Sequence, residues 1–152
     1  IDSTSATQKH VLGTICRAWD PTYGEGEFIY LLGLNSTTVG LMVTYNATTY
    51  QTAFTPDTAL FAAPIAVAMS ANVGSQYGWY QISGNAVVKK TAVAVTPQVK
   101  VYQSATVGRV LVASTSGKQI IGAKSANLTT IASTVSTVVV TIQRPHMQAQ
   151  IT

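Results

Sequence analysis

The sequence predicts an all-β fold, a jelly-roll-like β-sandwich of roughly ten short strands, with a partly open β-barrel as the alternative. Three observations carry this expectation. Thr, Val and Ile make up about a third of the 152 residues, and β-branched side chains suit a pleated, half-buried surface better than a helix. Short apolar runs recur about every 8–12 residues, each closed by Gly, Pro, Asn or Ser. No helix of more than about 12 residues is legible, and no fixed-period repeat points to a solenoid or propeller. A mass of 16.0 kDa fits one domain. The chain divides into an N-terminal arm (1–10), a single β domain (11–145) and a C-terminal tail (146–152).

The arm, IDSTSATQKH, is polar and aperiodic and ordered only where something holds it; it and the tail His146–Thr152 are expected to lie along neighbouring chains, the alternative being that both are mobile and contact comes from sheet edges. Val11–Ala18 is the first strand, ended by the turn signal Asp20-Pro21-Thr22-Tyr23-Gly24. In Glu27–Leu32, Phe28 and Tyr30 alternate with Ile29 and Leu31, so both faces are expected to be buried. Val39–Tyr45 and Thr48–Phe54 form a hairpin about Asn46-Ala47. Thr58–Ala63 has the composition of a helical turn, which Pro64 would stop. Ile65–Ala71 places Ile65, Val67 and Met69 on one strand face and alanines on the other, where a second layer can approach. Tyr77–Ser83 and Ala86–Thr91 are separated by a turn at Gly84-Asn85. Gln98–Gln103, Arg109–Ser114, Gln119–Ala123 and Thr134–Gln143 complete the set, the last ended by Arg144-Pro145.

Charge is sparse, at 9% of residues, and unevenly placed. Residues 1–57 hold all five acids and two bases, a net of 2 − 5 = −3; residues 58–152 hold seven bases and no acid, +7. The bases are scattered, only Lys89 and Lys90 being adjacent, so a protein surface is the expected partner rather than nucleic acid. No run of about 18 apolar residues is present, so no membrane-spanning helix is expected. The polar first ten residues do not read as a secretory signal. Open sheet edges with few charges to blunt them predict covering by another chain.

The groups that usually run enzymes are thin. His10 and His146 sit at opposite ends, and no nucleophile signature accompanies them. Glu25 and Glu27 would point the same way from a strand, as paired carboxylates for glycoside hydrolysis or as a solvated turn. Cys16, the only cysteine, reads as a packed apolar thiol. Asp20 and Glu25 lack the further acids that calcium needs, and zinc lacks clustered Cys or His. Three Asn-x-Thr matches, at Asn35, Asn46 and Asn127, are what a Thr-rich chain produces by chance. Tyr77, Trp79 and Tyr80 could stack on a sugar, although aromatics on a sheet more often anchor a core or interface. No catalytic, cofactor-binding or metal-ligating residue is assigned, and no cofactor is expected.

The segment Asn72-Val73-Gly74-Ser75-Gln76-Tyr77-Gly78-Trp79-Tyr80-Gln81-Ile82-Ser83-Gly84, followed by Ala86-Val87-Val88, resembles a hairpin of the head decoration, or capsid cement, proteins of tailed bacteriophages. Leu12-Gly13-Thr14 leading to Glu27-Phe28-Ile29-Tyr30-Leu31 agrees with that pattern, as does Val107-Gly108-Arg109-Val110 leading to Ile121-Gly122-Ala123. Ser75 departs from it, standing where a Gly is common. The resemblance implies a structural protein on the outer capsid surface of a virion, binding the major capsid protein and bridging capsomers. It also implies dimers or trimers; a homodimer is expected, twofold assemblies being the commonest. The alternative is a carbohydrate- or receptor-binding β-sandwich module on a virion or cell surface.

Overall fold

The computed structural model describes residues 1–149. Ten strands occur among them: β1 (Ile15–Asp20), β2 (Gly24–Leu32), β3 (Met42–Tyr45), β4 (Thr52–Phe54), β5 (Ile65–Ala68), β6 (Tyr77–Lys89), β7 (Lys100–Gln103), β8 (Val110–Leu111), β9 (Gln119–Ser125) and β10 (Thr137–Met147). They join in one antiparallel sheet in the order β4-β3-β5-β6-β10-β9-β7-β8, with β2 added to β6 and β1 added to β2. The sheet curls into a half-barrel, and no helix is present among the described residues, so the all-β expectation holds.

Two apolar layers fill the curl. The larger gathers Met42, Ile65, Val67, Ala86, Val88, Val101, Val110, Ile120, Val138, Val140, Ile142 and Met147. The smaller holds Ile29, Leu31, Val43, Ala66, Ala68, Tyr80 and Ile82. Strand β5 belongs to both: Ile65 and Val67 enter the first layer, Ala66 and Ala68 the second. The period-two pattern therefore reads as predicted, with small alanines where the second layer comes close. Phe28, Ile29, Tyr30 and Leu31 are all buried, so β2 is covered on both faces.

The structure corrects several boundaries. Gly84-Asn85 is not a turn: β6 runs unbroken through it for 13 residues. Gly84 takes φ +98°, and the β2–β6 register slips where Glu27 faces Ser83 while Phe28 faces Gln81. A glycine that reads as a turn in sequence here permits an irregularity inside a long strand. Likewise Arg144-Pro145 does not end β10. The β9–β10 register slips between Ile142 and His146, Pro145 sits inside that bulge, and pairing resumes at His146 and Met147. Met147 is buried and its N–H donates to the Ala63 carbonyl, at 2.9 Å. The expected tail thus begins later than 146, and its part at 150–152 lies outside the described residues.

Elsewhere the Asn46-Ala47 hairpin is a wider loop. The Asn46 side-chain oxygen accepts the N–H groups of Thr48 and Thr49, Tyr50 takes φ +55°, and β4 starts only at Thr52. Thr58–Ala63 forms no helical turn. The arm does not extend away from its own chain: Ser5 and Tyr77 exchange two backbone hydrogen bonds of 3.0 and 2.8 Å. Replacing Gly84 tests the account of β6, because a Cβ there would lie 2.5 Å from the Glu25 carbonyl oxygen. Gly84→Ala should lower stability by about 2–4 kcal/mol, combining positive-φ strain with overpacking, as read from urea unfolding midpoints.

Candidate interaction surfaces

The residues singled out for chemistry are mostly engaged in building the fold. Asp20 caps its own turn, its Oδ1 accepting the N–H groups of Thr22 and Tyr23 at 2.7 and 2.9 Å. Glu25 and Glu27 do share a face of β2, and both meet arginine. Arg17 reaches Glu27 at 3.2 Å and Glu25 at 3.8 Å, and Arg144 holds the other Glu27 oxygen at 3.2 Å. Arg144 has φ +42° in the β10 bulge, so the slip in β10 aims this side chain at a strand that β10 does not pair with. The arrangement is an ion-pair tie across β1, β2 and β10.

The two histidines stay apart in role. His10 packs against Tyr30 and Trp79, ring centroids 5.1 and 5.2 Å away, while His146 pairs with Ile121 and bridges Pro64. Burial pushes the Cys16 thiol up, the opposite of an activated thiolate. No group of three or more His, Cys, Asp or Glu side chains is placed to hold a metal ion among the described residues. Of the sugar-stacking candidates, Tyr80 is buried with its hydroxyl accepting from Asn72 Nδ2 at 2.8 Å, and Trp79 lies beside His10. Tyr77, Trp79 and Tyr80 therefore form no common open face. Asn35, Asn46 and Asn127 each hold loop backbone: Asn35 accepts from Gly74, and Asn127, buried, donates to Val95 and Thr129 carbonyls.

The adjacent lysines divide. Lys89 donates to Thr38 Oγ1 at 2.6 Å, whereas Lys90 is buried, with its ammonium on the carbonyls of Val93 (2.8 Å) and Thr91 (3.3 Å). Burial holds the Lys90 pKa below its ordinary value. The only exposed cross-strand base pair in register is Lys100 opposite Lys124, on β7 and β9 among the described residues.

Two surfaces missed in the sequence stand out. The first is the loop between β4 and β5, where Ala59-Leu60-Phe61-Ala62 is exposed without interruption, Leu60 at 50% and Phe61 at 43%. Leu60 takes φ +62° and its N–H donates to the Gly117 carbonyl at 2.9 Å, while Asp57 pairs with Lys118. Both ties fix the loop's base. A hollow of about 320 Å³ lies between Phe61–Pro64 and the β3–β4 hairpin. The signal was the unbroken apolar run Ala59–Ala63 ahead of Pro64, which a solvent-facing loop does not require. The second is β1, an edge strand paired with β2 alone, whose Trp19 is 72% exposed.

No family model, curated protein or solved structure matches this chain.

Two substitutions check this reading. Glu27→Gln should cost about 1 kcal/mol at low ionic strength, and the difference should shrink in molar salt because Arg17 and Arg144 are largely exposed. For Lys90, the unfolded chain binds its proton up to about pH 10.5 while the folded chain releases it earlier. Stability of the wild type relative to Lys90→Met should therefore rise with pH toward 10.5, as measured by paired denaturation curves.

Proposed function

We propose that this chain is a structural capsid-decoration protein. It docks on the outer surface of a major capsid protein lattice, bridges neighbouring capsomers and stabilises the shell without making or breaking covalent bonds. The observation that carries the reading is the β4–β5 loop: four consecutive exposed apolar residues, Ala59 and Leu60 lying over Gly117 and Phe61 beside them, in a chain with few charges to offset them. A strained, non-glycine positive φ at Leu60 keeps that apolar tip presented. Exposed apolar surface of this kind marks a protein contact. The sequence resemblance of residues 72–88 to decoration proteins supports this partner class, although Tyr77–Lys89 here is one continuous strand and not a hairpin.

The mechanism follows from mass action. A protein that binds the assembled lattice and not separated subunits stabilises the lattice by its binding free energy. Copies on symmetry-related positions that touch more than one capsomer convert a modest contact into tight overall attachment. The exposed Lys100–Lys124 pair suits an acidic group on the capsid face, with complementarity setting orientation more than strength.

The test uses expanded capsid shells prepared without this protein. Added chain should co-sediment with shells at a fixed copy number per capsomer and not with dissociated capsid subunits. Phe61→Asp should reduce occupancy at least about tenfold while leaving the melting temperature within a few degrees, as expected for loss of one apolar anchor. Shells that take up no protein, or take up Phe61→Asp equally well, would reject the reading.

A further inference from the structure

We propose that a second copy of this chain pairs with β1 in antiparallel fashion about a twofold axis at Ala18, placing Arg17 of each copy opposite Trp19 of the other. The inference rests on this chain alone and does not depend on the capsid reading.

Strand β1 has one neighbour. Tyr30 N–H donates to the Thr14 carbonyl, and the register sets Cys16 opposite Phe28 and Ala18 opposite Gly26. Antiparallel ladders alternate, so the Thr14 carbonyl accepts from β2 while Cys16 and Ala18 exchange bonds with it. Ile15, Arg17 and Trp19 then turn their N–H and C=O groups to the open side. No backbone hydrogen bond satisfies these groups among the described residues. Ile15–Asp20 contains no Pro and no bulge, and of its two charges Arg17 is already paired with Glu27.

Composition selects the occupant and the register. A twofold axis at Arg17 would set two guanidinium groups face to face, which like charges disfavour. An axis at Cys16 would leave Trp19 beyond the paired residues opposite. Centring on Ala18 pairs Arg17 with Trp19 twice and puts the smallest side chain of the strand at the close, non-hydrogen-bonded position on the axis. Arg17 binds Glu27 through the edge of its guanidinium, by Nε at 3.3 Å and Nη2 at 3.2 Å, so its planar face is free to lie on an indole. Arg17 and Trp19 share one face of β1, the face of Glu27 and Glu25 opposite them, so both stacked pairs form on one side of the joined sheet. The complementarity is therefore between the strand and itself, which is what an isologous dimer requires.

Disulfide trapping reads the register directly. Ala18 Cα atoms across the axis would lie about 4.5 Å apart, inside the roughly 4.4–6.8 Å that a disulfide spans. Under mild oxidation Cys16→Ser/Ala18→Cys should form a linked dimer at least about tenfold faster than Cys16→Ser/Thr134→Cys, which carries its thiol on an exposed loop, because pairing raises the local thiol concentration. The wild-type Cys16 should link no faster than that loop control. Adding Trp19→Ala to the Ala18→Cys chain should return it to the control rate. Sedimentation supplies a reading free of introduced thiols: the wild-type chain should show a concentration-dependent dimer that Trp19→Pro abolishes, since proline there removes only an outward N–H. Linking of Ala18→Cys at the control rate would overturn the proposal. So would faster linking of Cys16, indifference to Trp19→Ala, or a wild-type chain that stays monomeric up to millimolar concentration.

Discussion

The structure depends on a strand that must be apolar on both sides. β5 is four residues long, yet it supplies Ile65 and Val67 to one core layer and Ala66 and Ala68 to the other. Burying about 25 cal/mol of driving force per Å² on two faces makes such a short strand worthwhile, and it fixes the register absolutely. A slip of one residue would thrust isoleucine and valine into space shaped for alanine. The same double burial in β2 leaves the sheet with no solvated face where β2, β5 and β6 meet. Polar groups in that region are correspondingly held: Tyr80 by Asn72, and the Gln81 amide by the carbonyls of Ser83 and Asn85.

How much of this was legible can be judged residue by residue. Alternation fixed the faces of β2 and β5 because a two-residue period is a local property of the chain. Turn chemistry was less decisive. Gly84 and Arg144-Pro145 read as stops, but the strands continue through both, the first beside a register slip and the second inside one, and whether a positive-φ residue ends a strand depends on what lies across from it. At Gly84 that is the Glu25 carbonyl, 59 residues earlier in the chain and invisible to any local rule. The surfaces were harder still. The aromatic group at Tyr77–Tyr80 drew attention by composition, yet two of its rings are taken up by the core and the arm. Trp19 and the Ala59–Ala62 loop carry no motif, and their exposure is a property of the folded chain that no local pattern encodes.

Charged side chains tie distant strands together. The Arg17–Glu27–Arg144 cluster joins strands from the beginning and the end of the sequence, and the strained backbone of Arg144 is the means by which β10 reaches it. Lys90 shows the same economy from the opposite direction. Its ammonium donates to the Val93 carbonyl and shares the Thr91 carbonyl with the Val93 N–H. Scattered bases in a sequence thus need not be a binding patch.

One feature of β6 reaches beyond the finished fold. Ser83 faces Glu27 from β2 and also Gln143 from β10, so the strand at the centre waits for segments from both extremities of the polypeptide. Pairings so distant in sequence form slowly, because loop closure must precede any reward. During synthesis β10, about 50 residues beyond β6, must emerge before β6 has both its partners. Until then β5 and β6 would present bare apolar faces, and early contact with a chaperone would shield them from aggregation.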